Sequence, residues 1–466
     1  MPTVALAPGS LIAPGKLKIN AKPDQWGGQG SVFFTPDGRY IVKIYHERKL
    51  RDTPEKTKER LRMLIRLGSS LGEDDQFLAW PLGVVERLGE RPAVGCVSKR
   101  VPPSHVELYK LIFSPQDMAE QLEQGYRWVN YLKMARATAA ALRTVHDKGI
   151  AVGDVSFKNV LANPETGEAV LVDLDSATVP GFVRPVVGGT PGFLAPELVQ
   201  GLAQPSETSD RHSAAVLILW TLLFRNVMQP PVTACYAAEP EEDERLGWGK
   251  YACFSEHPKD RRHWFGRIGR PLYKRGALSY KCLTPKLQAL TEKTLIQGLH
   301  HPDKRVAARE WFLALAEAYD ALAPCRECKQ SLLYPYWIRP VTARSCPFCG
   351  TRIQSPYPAV LELREERSKG HYVAVRSWVT YHGLPVYADV AVPGSLPPFA
   401  GRSSETIGQA TWDPKARVHR LTNRSADAWR VVSGGGGLVD PGESVALRPG
   451  VVLDFGQGRR RAKVME

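Results

Sequence analysis

The chain lacks any apolar run long enough to span a membrane. Its longest apolar stretch, Ala214 to Phe224, is well short of the roughly 20 residues that a spanning helix needs, so it predicts a buried helix. The first residues, Met1 to Lys16, carry no basic residue ahead of their apolar part and no clear cleavage site. We therefore expect a cytoplasmic protein without membrane contact.

Internal repeats and low-complexity tracts are also lacking. A composition of 43% hydrophobic and 24% charged residues is that of an ordinary globular protein, which excludes a disordered or fibrous chain. At 466 residues the chain is longer than one compact domain, so two or three domains are expected.

Acidic residues are fewer than basic ones, 48 against 62, and the net charge is +14. Such a charge favours nucleic acid, an anionic membrane surface or an acidic protein as a partner. The basic residues are dispersed along the chain, so solvated faces are a better explanation than specific nucleic-acid binding.

Three short motifs, in a fixed order, indicate phosphoryl-transfer chemistry. Asp154 and Asn159 share one short segment, Asp173 ends an apolar strand, and Gly189 to Glu197 reads Gly-Thr-Pro-Gly-Phe-Leu-Ala-Pro-Glu. Phosphoryl transfer requires a group that positions a hydroxyl, oxygens that hold magnesium and a cation on the phosphates. Each motif alone is weak evidence, and their joint order is strong evidence.

A glycine-rich turn and a lysine precede these motifs. Gly27, Gly28 and Gly30 lie before Val32, and glycine lets backbone N–H groups approach phosphate oxygens. Lys43 follows on the next apolar strand. A simple glycine hairpin and a surface lysine are the alternative explanations.

From about residue 20 to 322 the chain resembles the protein kinase superfamily, in its bacterial Ser/Thr-kinase-like branch. The resemblance implies an α+β, bilobal protein-kinase-like fold, with an N-terminal extension over 1–19, an N-lobe over 20–101 and a C-lobe over 102–322. It also implies an enzyme that uses ATP and Mg²⁺ to phosphorylate Ser or Thr of a protein substrate, with the chain itself as one candidate substrate.

The resemblance assigns roles to five residues of the predicted site. Asp154 would orient the substrate hydroxyl and accept its proton. Asn159 and Asp173 would hold magnesium, and Lys43 and Lys158 would contact the phosphates.

Further residues follow from the same resemblance. Backbone groups of Lys99 and Val101 would bind adenine, and Thr190 would favour Ser/Thr over Tyr substrates. The lysine needs a carboxylate partner on the following helix, which is predicted over Thr53 to Leu67. Glu59 is our choice for that partner, and Glu55 is the competitor one turn earlier.

Two structural roles are implied as well. Glu197 needs an arginine partner, for which Arg305 is well placed. Asp210 would tie down the loop that carries Asp154. Both roles support the site without entering the chemistry.

The chain departs from the kinase pattern at several positions. The usual His-Arg before the catalytic Asp is Val152-Gly153, so we predict little dependence on phosphorylation of the activation segment. Ser156 replaces the usual lysine, with Lys158 as its substitute. Leu174-Asp175 replaces Phe-Gly, which should make that segment less prone to flip. Met63 is predicted to stack with the apolar residues at these positions.

Cys325, Cys328, Cys346 and Cys349 form two Cys-x-x-Cys pairs in a predicted ribbon over 323–355. Two thiolate pairs on tight turns predict a tetrahedral, structural Zn²⁺ site, with a redox pair or disulfides as less favoured alternatives. The ribbon would either stabilise a small domain or dock a partner, and we favour stabilisation.

Residues 356–466 alternate like β structure and predict a small all-β C-terminal domain, which we interpret as a protein-interaction module. The architecture resembles, more loosely, the atypical kinases that occur with von Willebrand-type and phosphatase partners in tellurite-resistance-like systems. A nucleotide-binding pseudokinase scaffold is the main alternative function, and a nucleic-acid-associated factor is a weaker one.

Overall fold

The structure is a computed structural model that describes residues 1–12, 15–50, 52–71, 76–112, 114–179, 182, 189–231, 234–397, 405–433, 436–456 and 460–465. Over these residues the chain is a mixed α and β protein with five sheets. This confirms the predicted mixture of helices and strands. None of the helices in the described ranges is long and apolar enough to cross a membrane.

The first sheet contains seven antiparallel strands: β1 (Thr3–Leu6), β2 (Lys16–Lys18), β3 (Gln25–Trp26), β4 (Gly30–Phe34), β5 (Tyr40–Tyr45), β6 (Pro81–Leu88) and β7 (Arg91–Lys99). Their order is β2-β1-β6-β7-β5-β4-β3. A tight turn around Asp37 joins β4 to β5. The Asp37 carboxylate accepts hydrogen bonds from the Thr35 hydroxyl at 2.6 Å and from the Arg39 N–H at 3.0 Å, as Asp commonly does in turns.

Helix α1 (Pro54–Gly68) packs against this sheet. Thr53 caps it by accepting a hydrogen bond from the Lys56 N–H, and Pro54 occupies the first turn, where its missing N–H costs nothing. The helix was predicted over almost the same residues. Its buried side faces the core and consists of Thr57, Arg60, Leu61, Leu64, Ile65 and Gly68.

The middle of the chain is mainly helical: α2 (Pro115–Glu123), α3 (Trp128–His146), α4 (Pro196–Val199), α5 (Glu207–Leu223), α6 (Pro240–Arg245), α7 (Pro285–Glu292) and α8 (Ala308–Asp320). Nearly all residues of α3 and α5 are buried. Their small and branched apolar side chains allow α3 to pack closely against both α5 and α8. A small sheet of β8 (Val106–Glu107), β9 (Val160–Ala162) and β10 (Ala169–Leu171) lies beside them.

The rest of the chain is rich in strands, as predicted. β11 (Leu322–Pro324) and β12 (Ser331–Leu333) form a hairpin. A six-stranded sheet has the order β14-β13-β22-β21-β18-β19, and a four-stranded sheet has the order β15-β16-β17-β20. Their strands are β13 (Ala359–Ser368), β14 (His371–Thr380), β15 (Pro385–Tyr387), β16 (Thr406–Asp413), β17 (Val418–Asn423), β18 (Trp429–Val431), β19 (Gly437–Val439), β20 (Ser444–Ala446), β21 (Val452–Asp454) and β22 (Arg460–Val464).

The C-terminal sheets have their own apolar core, which includes Trp429 and Phe455. A buried ion pair joins them to the helical part, since Nε of Arg376 on β14 lies 2.9 Å from Oδ2 of Asp320 at the end of α8. Arg376 also contacts Asp389 at 2.8 Å. The buried guanidinium of Arg376 thus has carboxylate partners on both sides of this junction, as a buried charge requires.

Candidate active site and cysteine cluster

A cleft of about 650 Å³ lies between the first sheet and the small sheet of β8, β9 and β10 with the residues next to its strands. It is lined by most of the predicted site residues: Gly27, Gly28, Gly30, Val32, Lys43, Val101, Lys158, Asn159 and Asp173. Lys99 is not among the lining residues, and its backbone pairs with Tyr40 in the sheet. Residues far apart along the chain therefore meet at one cleft, where a single ligand could contact all of them.

Part of this cleft is apolar. Val32, Ile41, Ala79, Leu161 and Val172 line it from the sheet on one side and from the small sheet region on the other. Val101 lies at its edge, and its backbone N–H makes no hydrogen bond with the residues that the structure describes. An apolar slot with a backbone donor at its edge is typical of sites for flat heterocyclic ligands.

The glycine-rich turn closes the hairpin of β3 and β4, where the Gly27 N–H donates to the Gly30 carbonyl at 2.9 Å. Gly30 is required by the sheet, because a Cβ there would collide with the carbonyl oxygen of Ile44 on β5. At Gly28 a Cβ would meet nothing within 4 Å. This turn therefore leaves its backbone open towards the cleft, as an anion-binding loop requires.

Lys43 projects from β5 into the cleft. The register of the sheet places it beside Val32 on β4 and Cys96 on β7. Its Nζ contacts the Asp173 carboxylate and lies 3.1 Å from Oδ2 of Asp175. Burial disfavours the charged amine, but the carboxylates of Asp175 and Asp173 outweigh it and raise the pKa of Lys43. Lys43 is therefore protonated and positively charged.

The structure corrects the predicted partner of Lys43. Glu59 and Glu55 are both exposed on α1, and neither is among the residues that line the cleft. Arg60 occupies the inward position instead, with 6% of its surface exposed. Glu59 was chosen because it falls on the apolar-periodic part of the helix, but the helix buries Arg60 at that face and leaves Glu59 exposed.

Asp173 lies in a left-handed backbone conformation, with φ 60° and ψ 29°. A short 3-10 turn, Leu174–Ser176, follows it and brings the Asp175 carboxylate back towards Lys43. Burial opposes ionisation of Asp175, but Lys43 and a hydrogen bond from the Tyr45 hydroxyl lower its pKa. The sequence analysis treated Asp175 only as the residue that stands in place of a glycine. The available signal was an acidic side chain close to Asp173, in the segment that was expected to lie near Lys43.

Asp154 is held by donors on both oxygens. Its Oδ1 accepts from the Thr190 N–H and from the Thr190 hydroxyl, both at 3.0 Å. Its Oδ2 accepts from Nδ2 of Asn159 at 3.2 Å. The hydroxyls of Thr190 and Ser156 are also hydrogen-bonded to each other at 3.0 Å. The carboxylate is thereby fixed in one orientation at the mouth of the cleft.

Asp210, at the start of α5, holds the loop before Asp154 as predicted. Its carboxylate accepts hydrogen bonds from the N–H groups of Val152 at 2.6 Å and Gly153 at 3.0 Å, and His146 lies 3.2 Å away. Gly153 has φ 84°, a conformation that glycine adopts without strain. The glycine that replaces the usual arginine therefore serves the geometry of this loop.

The predicted stack of Met63 with Val152 and Leu174 is wrong. Met63 is 37% exposed, whereas its neighbour Leu64 is fully buried in the core that also contains Val152 and Leu174. The helix is thus rotated by about one residue, roughly 100°, from the predicted orientation.

Glu197 and Arg305 form the predicted pair. Nη1 and Nη2 of Arg305 donate hydrogen bonds to the Glu197 carboxylate at 2.6 and 2.8 Å. Arg305 also donates to the carbonyls of Gly298 and Leu299, both at 2.8 Å. Arg305 is 2% exposed. The pair connects the segment after Thr190 to the helical core.

Glu197→Gln should destabilise the protein by about 3 kcal/mol, because it leaves the buried Arg305 without its counter-charge. The measurement is thermal unfolding, with an expected loss of roughly 5–10 °C in Tm. Glu207→Gln is the matched control: Glu207 pairs with Arg211 at 2.6 Å on the surface of α5, and its loss should change stability by less than about 0.5 kcal/mol. Equal effects of the two substitutions would contradict this account.

The four paired cysteines converge on one point. The Sγ atoms of Cys325 and Cys349 are 3.7 Å apart, those of Cys328 and Cys346 are 3.8 Å apart, and all four lie within 4.8 Å of one another. Zn–S bonds of about 2.3 Å in a tetrahedron give sulfur–sulfur distances of roughly 3.8 Å, whereas a disulfide requires about 2.05 Å. The cluster therefore fits a zinc ion and does not fit two disulfides.

The cluster is packed against the helical part of the chain. Phe348 meets the Trp128 ring at 6.0 Å, edge to face. The side chain of Gln330 accepts a hydrogen bond from the backbone N–H of Trp128 at 3.0 Å. It also donates to the backbone carbonyls of Leu122 and Tyr126. The cysteine turns are thus part of the main core, which the sequence did not indicate.

No family model matches the chain. It is similar to two curated proteins named protein kinase YegI. The one from Escherichia coli strain K12 is 24% identical over 79% of this chain and 53% of its own length, and the one from Escherichia coli O157:H7 is 25% identical over 84% and 56%. A mitogen-activated protein kinase kinase kinase 17 from Arabidopsis thaliana is 39% identical over 16% of this chain.

These relatives confirm the resemblance to the protein kinase superfamily that the motifs indicated. The chain spans about half the length of the two bacterial relatives. The kinase class, a phosphotransferase at family level, is therefore supported by both sequence similarity and kinase motifs.

Proposed function

We propose that the protein is an ATP- and Mg²⁺-dependent serine/threonine protein kinase with a bilobal kinase-like arrangement of residues 20–322. One observation carries the proposal: Lys43, Asn159 and Asp173 line a single cleft, and Asp154 lies at its mouth in contact with Asn159. These are the residue types that position a hydroxyl, hold a metal and contact phosphates.

The nucleotide would occupy the cleft with its base in the apolar slot. The backbone N–H of Val101 is a donor for the base, and the glycine turn and Lys43 face the phosphates. Asn159 and Asp173 carry the hard oxygen ligands that magnesium prefers, and the ion supplies charge neutralisation on the phosphates. Lys158 is exposed at the cleft and adds a second cation.

Asp154 orients the acceptor hydroxyl and takes its proton as the phosphoryl group transfers. Its Oδ1 is engaged by Thr190, so the carboxylate cannot rotate freely. Thr190 at this position supports a Ser or Thr acceptor, by resemblance to Ser/Thr-directed kinases. The acceptor would be a protein, and the chain itself is one candidate.

The test is mass spectrometry of phosphosites after incubation of the purified chain with ATP, Mg²⁺ and a mixed protein substrate. We expect phosphate on Ser and Thr and none on Tyr. Phosphotyrosine would contradict the predicted specificity. Nucleotide binding without any transfer would instead favour the pseudokinase scaffold.

A further inference from the structure

Asp175 is a buried acid with a cation and a hydroxyl donor in contact with its carboxylate. It is 5% exposed. The Lys43 Nζ lies 3.1 Å from its Oδ2, and the Tyr45 hydroxyl donates to the same carboxylate. Lys43 and Tyr45 are on one strand, β5, and therefore clamp the carboxylate from the same side.

Helix α1 contributes a cation, not an acid, to this region. The Arg60 guanidinium is buried and donates from Nη1 to the carbonyl of Ala177 at 3.1 Å. Ala177 directly follows the turn that carries Asp175. The helix thus reaches the Asp173 segment through an arginine on a carbonyl, while Glu59 remains on the exposed side.

We infer that Asp175 is the positioning residue that orients Lys43 towards the phosphates, in the place of a carboxylate from helix α1. The inference rests on the proposed kinase function. A buried lysine needs a fixed counter-charge to hold one conformation. Asp173 is also in contact with Lys43, but it is assigned to the metal, and Asp175 is the carboxylate that remains for the lysine.

The arrangement has a consequence for regulation. One turn, Asp173 to Ser176, holds both the metal-binding carboxylate and the anchor of the lysine. Helix α1 therefore supplies no carboxylate to the Lys43–Asp175 pair, and its link to this turn is the Arg60 hydrogen bond to the Ala177 carbonyl. An enzyme built in this way does not need that helix to deliver the partner of its lysine.

Asp175→Asn is the primary test, because it keeps the shape of the side chain and removes its charge. We expect kcat to fall about a hundredfold, the size typical of a misplaced catalytic group, with ADP affinity changed less than about threefold. A merely structural role would lower ADP affinity along with kcat. Glu59→Gln is the matched control on helix α1 and should leave both quantities unchanged.

A double-mutant cycle on thermal stability, without nucleotide, gives a readout that does not depend on activity. Asp175→Asn should lower the Tm because the buried ammonium of Lys43 loses one of its two carboxylate partners. Most of this loss should disappear in the Lys43→Met background, where that ammonium is absent. Equal losses in both backgrounds would overturn the pairing.

Three outcomes separate the possible failures. Unchanged kcat in Asp175→Asn, or a large loss in Glu59→Gln, overturns the inference alone. If the unmodified chain transfers no phosphate, the proposed function fails, and the stability cycle still decides whether Lys43 depends on Asp175. If Asp175→Asn does not fold, Tyr45→Phe removes one donor to Asp175 and should lower kcat about fivefold; no change there overturns the inference.

Discussion

Asp154→Ala is expected to reduce kcat for phosphoryl transfer by about a thousandfold, within the range measured for loss of a general base. The affinity for ADP should change little, because the Asp154 carboxylate is held by Thr190 and Asn159 at the mouth of the cleft and is not among the residues that line it. The measurements are steady-state kinetics with labelled ATP and equilibrium binding of ADP.

The fold should tolerate this substitution. Thr190 keeps its hydrogen bond to Ser156 at 3.0 Å, so its hydroxyl is not left without a partner. Asp147→Ala, at an exposed carboxylate just after α3, is the matched control and should retain full activity. Transfer by Asp154→Ala at more than about a tenth of the normal rate would contradict the role of Asp154 as the base.

Removal of metal from the four-cysteine cluster is expected to destabilise the protein by on the order of 5 kcal/mol. Structural zinc contributes about 10–16 kcal/mol to the folding of isolated zinc-finger peptides. We expect a smaller loss here, because Phe348 and Gln330 still pack against the helices after the metal is removed. A strong chelator should lower the Tm by roughly 10 °C or more. The purified protein should contain one zinc ion per chain.

Cys346→Ser, at a buried ligand, should reproduce the effect of the chelator and abolish zinc binding. Cys235→Ser is the control, since Cys235 is an exposed cysteine outside the cluster. Its substitution should leave both the zinc content and the Tm unchanged. Two results together would show that the cluster is not a structural zinc site: the purified protein contains no metal, and the chelator does not change its Tm.

The two predictions address separate parts of the molecule. The cluster lies on the helical part near Trp128, whereas Asp154 lies at the cleft. We therefore expect Cys346→Ser to lower the amount of folded protein. Asp154→Ala should instead lower the rate of phosphoryl transfer by the protein that is folded. The bacterial relatives are about twice as long as the region that aligns with this chain.

Much of the candidate site could be predicted from the sequence because its chemistry depends on residue type and order. A lysine on a strand, an Asp and Asn in one loop, and an Asp after an apolar strand occur here in the order that the protein kinase superfamily has. The same holds for the four cysteines, whose pairwise spacing reflects the tight turns that present sulfur to a metal. The structural pairs of Glu197 with Arg305 and of Asp210 with its loop were predicted for the same reason.

Only the tertiary structure decided which carboxylate meets Lys43. Each helical residue is turned by about 100° from the last, and the apolar positions Leu61, Leu64 and Ile65 allow either Glu59 or Arg60 at the edge of the buried face. The sequence analysis expected a carboxylate from this helix and chose Glu59 because it falls on the apolar-periodic part of the helix. The fold instead buries Arg60 on a backbone carbonyl and supplies the acid from Asp175, because long-range packing of α1 sets its rotation and local spacing does not.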